Sequence, residues 1–197
     1  MKFQKVLVGT IRVILAAELL AAIISEQYLN AFTALLAFLL SLFPAVMSRR
    51  THLNLSSGIQ SAIIVFIFAS MYLGEIKGYY ELFFWWDIML HSISGIILGL
   101  IGFLLVFALT QNKKSDVRLS PFFIAFFAFC FAVTCGTIWE IFEYFMDTVF
   151  GMNMQKTGLD DTMWDLICDT ASALATSVAG YIMAKNNLTK EGDRYAD

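Results

Sequence analysis

The chain has 197 residues, of which 59% are hydrophobic and 15% charged, with a formal net charge of −3. Its mean hydropathy is +0.72. Soluble domains hold about 45–50% apolar and about 25% charged residues, so this composition excludes a soluble globular protein and describes a polytopic membrane protein.

Roughly 20 apolar residues cross the hydrocarbon layer, and the apolar runs are that long. They predict an all-α fold of six transmembrane helices in a single membrane domain, 1–197, with spans at about 6–25, 30–48, 58–74, 84–109, 121–148 and 161–184. The first span holds Arg12 and Glu18 and lacks a small-x-small cleavage site, so it reads as a permanent span and not a removed signal. Arg49, Arg50, His52 and Asn54 separate the second and third spans. The segment TQNKKSDVRLSP separates the fourth and fifth, and Pro121 stands at a helix start, where its missing N–H does no harm. FGMNMQKTGLDD separates the fifth and sixth, with Gly151 and Gly158 as turn residues. No internal repeat and no low-complexity tract is evident.

Orientation follows from the basic residues. The even-numbered loops and both termini hold Lys2, Lys5, Arg12, Arg49, Arg50, Lys113, Lys114, Arg118, Lys185, Lys190 and Arg194; the odd-numbered loops hold only Lys77 and Lys156. The positive-inside rule therefore predicts N and C termini in the cytoplasm, in a cell (inner or plasma) membrane. Topology accounts for the basic loops, so no nucleic-acid partner is expected. Trp85, Trp86, Trp164, Tyr72, Tyr79, Tyr80 and Tyr144 fall near the predicted outer side and read as an interfacial belt.

This topology brings three acidic segments to the outer end. WWDIMLHSISG opens the fourth span, GTIWEIFEYFMD closes the fifth and DDTMWDLICD opens the sixth. Asp87 and His91 are four apart; Glu140, Glu143 and Asp147 follow a three-then-four spacing; Asp161, Asp165 and Asp169 recur every four residues. Each set lies on one helical face. At a rise of about 1.5 Å per residue, His91, Glu140 and Asp169 each reach about 12 Å inside their helix end. Gly95 and Gly99 continue the first stripe inward, and Ala173 and Ser177 the third. Small residues let membrane helices approach closely, so these faces are expected to meet one another and not lipid.

A single charge at the bilayer centre costs about 2.5–3.5 kcal/mol even on mild scales. Eight grouped ionisable residues with scarcely any basic partner therefore call for a bound divalent cation or for stored protons. A carboxylate-rich set with one imidazole suits Mg²⁺, Mn²⁺ or Ca²⁺ ahead of Zn²⁺ or Fe²⁺. The expected metal ligands are Asp87, His91, Glu140, Glu143, Asp147, Asp161, Asp165 and Asp169, with Asp87 and His91 also as catalytic groups. Competing readings are a helix cap or first-turn acid for Asp160 and Asp161, a solvated rim acid for Asp147 and a satisfied core histidine for His91. Glu18 lies deep enough to join the cluster or to bond a neighbouring helix. Glu75 and Glu81 read as loop acids, and His52 falls on the opposite side. Cys130, Cys135 and Cys168 fit neither a zinc spacing nor a CxxC motif and read as buried free thiols.

The stretches WDIMLHSISG, WEIFEY and DDTMWDLICD together resemble the YjdF-like family of bacterial inner-membrane proteins. Asp87, His91 and Gly95 match its Asp-x-x-x-His-x-x-x-Gly stretch, Glu140 and Glu143 its Glu-x-x-Glu, and Trp164, Asp165 and Asp169 its Trp-Asp-rich entry to the last helix. FFWW replaces an Asn-His-Tyr run of the family just before Asp87. The resemblance implies the six-helix plan and this choice of residues, and no reaction.

Three functions compete. The first is a metal-dependent hydrolase or transferase acting on a membrane lipid or lipid-linked phosphate at the outer leaflet. The second is a divalent-cation or proton transporter or channel. The third is a structural or assembly protein whose metal pins helices together.

Overall fold

The computed structural model describes residues 2–50, 55–110 and 119–194. Of the basic residues used for orientation, Lys113, Lys114 and Arg118 lie in the run 111–118, outside the described residues; so does His52, expected on the side opposite the acidic cluster. The described residues are all-helical: α1 Lys2–Ile24, α2 Tyr28–Arg50, α3 Ser57–Ile67, a π-helical continuation Phe68–Ile76, α4 Tyr79–Leu82, α5 Trp86–Thr110, α6 Pro121–Phe150 and α7 Leu159–Arg194. Six helical stretches are long and apolar enough to cross a membrane, with α3 and its continuation counting as one. Among the described residues a helix stands at each predicted span, and several run a few residues further at their ends.

Contacts divide the chain into two compact units, 1–90 and 91–197. In the first, α1 lies along α2, and both pack on α3. Ile11, Leu15, Ala37 and Ile64 form its core. The α2 face turned inward is built of Ala31, Ala34, Ala37 and Ser41, small residues that admit close helix approach. Arg12 is held inside this unit: its Nε donates to Ser41 Oγ at 3.2 Å and its Nη2 to the Ser41 carbonyl at 2.8 Å.

The turn between α1 and α2 is a Schellman closure. Gln27 N–H donates to Ala22 O at 2.8 Å and Glu26 N–H to Ile23 O at 3.2 Å, the pair of bonds that satisfies the last carbonyls of a helix. Glu26 occupies the left-handed position at φ 58°, where glycine is the usual residue. Glu18, expected either near the acidic cluster or bonded to a neighbouring helix, pairs with Lys77 at the end of the α3 continuation: Nζ lies 2.9 Å from Oε2. Lys77 also sits 5.0 Å from the centre of the Tyr72 ring. The hydrogen bond to Glu18 raises the Lys77 pKa above its ordinary value, partly offset by burial. Glu75 and Glu81 are exposed. Trp86, expected in the aromatic belt, is buried against Tyr79 at a ring separation of 4.9 Å.

In the second unit α6 lies along α7. The buried stripe of α6 runs Ala125, Ala128, Ala132, Gly136, Glu140, Glu143. That of α7 runs Asp165, Asp169, Ala173, Ser177, and that of α5 runs His91, Gly95, Gly99, Gly102. Each stripe changes from small residues to ionisable ones at the end where α5 and α7 begin and α6 finishes. Two glycines are required by close approach. A Cβ on Gly95 would collide with Ser172 Oγ and lie 2.6 Å from the Asp169 carbonyl. A Cβ on Gly136 would lie 2.6 Å from Asp169 Oδ2.

Candidate functional site

Local sequence positions the side chains. Phe83, Phe84 and Trp85 do not join α5; they form a turn closed by Trp86 N–H to Phe83 O at 2.9 Å. Asp87 therefore sits in the first turn of α5 and His91 in the second. Glu140 and Asp169 lie further from the ends of α6 and α7, because those helices extend to Phe150 and from Leu159. The equal depth counted from predicted ends does not hold, yet the side chains of His91, Glu140 and Asp169 meet.

His91 is at the centre. Its Nδ1 is 3.0 Å from Asp169 Oδ2, and its Nε2 is 3.8 Å from Glu140 Oε1 and 3.9 Å from Asp165 Oδ2. An ionised carboxylate only accepts, so this network assigns the Nδ1 proton to the Asp169 bond. Nε2 faces the carboxylates of Glu140 and Asp165 from those distances. Ser94 Oγ reaches both the other Asp169 oxygen and, at 2.8 Å, the His91 carbonyl. Asp169 is thereby fixed on both oxygens, between α5 and the Gly136 surface of α6.

Asp87, one turn before His91 on the same helix, completes a group able to hold a metal ion: one ligand atom each from Asp87, His91 and Asp165 lie within 4.8 Å of one another. Burial is deep. His91 is 7% exposed, Glu140 3%, Asp165 2% and Asp169 2%, so water contributes little to balancing these groups. With Asp87, four carboxylates stand against one imidazole, and such a set calls for a bound cation or for protons held on the acids.

The remaining expected ligands are placed differently. Glu143 is buried one turn beyond Glu140, and its Oε1 accepts the Trp139 indole N–H at 2.8 Å. Asp161 is half-buried in the first turn of α7, and Asp160 beside it is exposed. Asp147 is drawn into the loop that follows α6: its two oxygens accept the backbone N–H groups of Met154 at 2.7 Å and Gln155 at 2.8 Å. That carboxylate organises the turn into α7.

Sequence reasoning missed Ser94 and Gly136. Both carried a signal. Ser94 stands three residues after His91 on the same helical face, and Gly136 stands four before Glu140. The stripe from Ala125 to Gly136 was equally legible as a small-residue packing face.

Comparison with known proteins gives a family. An uncharacterized protein of Thermotoga maritima is 25% identical over 194 residues, covering 98% of this chain and 93% of the relative. No solved structure matches the chain. A family model described as a predicted membrane protein (DUF2238) matches residues 7–186. The matched stretch contains all three acidic segments, in keeping with the YjdF-like resemblance of their motifs. The chain, with its apolar spans and their buried acidic ends, belongs to the DUF2238 family of predicted membrane proteins.

Proposed function

We propose that the cluster around His91 holds a divalent cation, and that the protein is a metal-dependent hydrolase or transferase acting on a lipid or lipid-linked phosphate at the outer leaflet. The observation that carries the reading is the division of labour on His91. Nδ1 is engaged by Asp169, while Nε2 faces Glu140 and Asp165 across 3.8 and 3.9 Å. A carboxylate that orients an imidazole for a metal on its other nitrogen is a recurrent device. Asp87, His91 and Asp165 are the ligands, with Glu140 beside them. Asp169 and Ser94 position His91. Oxygen-rich ligation favours Mg²⁺, Mn²⁺ or Ca²⁺ over Zn²⁺ or Fe²⁺. Such an ion supplies polarisation of a phosphoryl oxygen and activation of water. Asp87, half-buried in the first helical turn, is the base closest to the helix end.

The outward location rests on the positive-inside rule, and it places the cluster at headgroup level. Burial of ionisable side chains within spans also favours a second reading, a cation or proton transporter.

The test is metal analysis of the purified protein beside His91→Ala and Asp165→Asn. Wild type retains close to one equivalent of divalent metal and both variants lose it. A wild-type protein free of metal after purification without chelator, and unable to take up Mg²⁺, Mn²⁺, Ca²⁺ or Zn²⁺, sinks the proposal. Release of phosphate from a lipid phosphate supports the enzyme; metal flux into liposomes without such release supports the transporter.

A further inference from the structure

A second polar site lies in the first unit, far along the sequence from the acidic cluster. The N-terminal part of α1, the C-terminal part of α2 and the start of α3 border a half-open cavity of about 400 Å³. Its wall holds Lys5 and Arg12 from α1 and Ser57, Gln60 and Ser61 from α3, with Val8, Ala45 and Ile64 as apolar surface. Among the described residues, the lining carries two cationic side chains and no acid. The first turn of α3, capped by Ser56 Oγ accepting from Ile59 N–H at 3.3 Å, adds the positive end of the helix dipole.

The two cations differ in character. Arg12 is fixed, because Ser41 accepts from its Nε and Nη2. A guanidinium has five N–H donors, so the fork remains able to bind an anion while held in place. Lys5 is exposed on the same helical face, seven residues and about 10 Å nearer the N-terminus. Other side chains in the wall have their local bonds: Gln60 Nε2 donates to Leu55 O at 2.9 Å and Ser61 Oγ to Ser57 O at 2.8 Å. They stiffen the start of α3 without placing a negative charge in the cavity.

We infer that this cavity binds a phosphate ester, with Arg12 as the fixed anchor, Lys5 as the entrance cation and the α3 N-terminus as the third source of positive potential. Its size falls in the range of small-ligand sites, about 300–1,000 Å³, which is more than an inorganic phosphate needs and enough for a phosphoglycerol group. The Val8, Ala45 and Ile64 surface suits the glycerol and the start of an acyl chain. Basic pockets between membrane helices recognise anionic headgroups in this manner. The site is independent of the metal centre and survives failure of that reading.

The experiment is native mass spectrometry of the full chain released from micelles containing either phosphatidylglycerol or phosphatidylcholine, with soluble glycerol phosphate as a separate arm. The expected result is one retained phosphatidylglycerol adduct, at least about threefold more abundant than the phosphatidylcholine adduct. It falls at least about threefold in Lys5→Gln, an exposed change that spares the fold, and further in Arg12→Gln. A glycerol phosphate adduct with the same dependence on Lys5 assigns the site to a soluble ester instead, and still supports the shared chemistry. Equal retention of the two lipids with no glycerol phosphate adduct, or adducts unchanged in Lys5→Gln and in Arg12→Gln, overturns the inference.

Discussion

His91 shows how one side chain can take two roles at once. Its Nδ1 lies 3.0 Å from Asp169, and its Nε2 faces Glu140 and Asp165 at 3.8 and 3.9 Å. Asp169→Asn keeps the volume but exchanges the acceptor for an amide that donates as well as accepts. Metal affinity is expected to fall about 10- to 100-fold, the usual effect of losing an orienting partner, while folding in detergent is retained. Isothermal titration with Mn²⁺ measures this, and an unchanged affinity removes Asp169 from the positioning role. Glu26 offers a test of the backbone. A non-glycine residue in the left-handed region is strained by about 1–2 kcal/mol. Allowing for the greater freedom of unfolded glycine, Glu26→Gly is expected to stabilise by about 0.5–1 kcal/mol. Unfolding by titration with SDS reports the sign; a destabilised variant rules out the strain argument.

At the scale of elements, the decisive feature is a change of residue type along each helix. Small residues on α5, α6 and α7 bring the backbones together, and ionisable residues follow at one end of each stripe. Lipid gives no hydrophobic push between helices, so the small residues matter through contact. Gly95 is the clearest case, since a methyl group there meets both a side chain and the backbone of α7. Gly95→Ala is expected to cost about 1–3 kcal/mol, the range for overpacking, and to weaken metal binding because α7 carries Asp165 and Asp169. Thermal unfolding and metal titration on one preparation check both effects. Full stability in this variant contradicts the close packing of α5 on α7. The π-helical continuation of α3 illustrates a different element property. It follows α3 directly, and Lys77 N–H closes its end on Tyr72 O at 2.9 Å. The Glu18 partnership of Lys77 was beyond prediction for that reason: helical periodicity gives faces of regular α-helix, and the π-turn shifts them.

For the whole molecule, orientation is the property open to direct test. The positive-inside rule puts both termini in the cytoplasm and the α6–α7 loop outside. In a cysteine-free background, Asn153→Cys is expected to react with an impermeant maleimide in intact cells, and Lys2→Cys only after permeabilisation. The reverse pattern inverts the protein and moves the acidic cluster to the inner face. The sequence by itself determined the all-α class, six spans with ends close to those observed, and the candidacy of His91, Glu140, Asp165 and Asp169. It could do so because hydrophobic length and helical periodicity are local properties, and because an ionisable residue in an apolar run is costly enough to stand out. Only the tertiary structure decided what each acid does. Asp169 orients His91, Asp147 ties down a loop, Glu143 takes the Trp139 N–H and Glu18 pairs with Lys77. Those outcomes depend on which atoms of separate segments come within about 3 Å of one another, the reach of a hydrogen bond. Spacing along one helix names a face, but the neighbouring helix selects the partner.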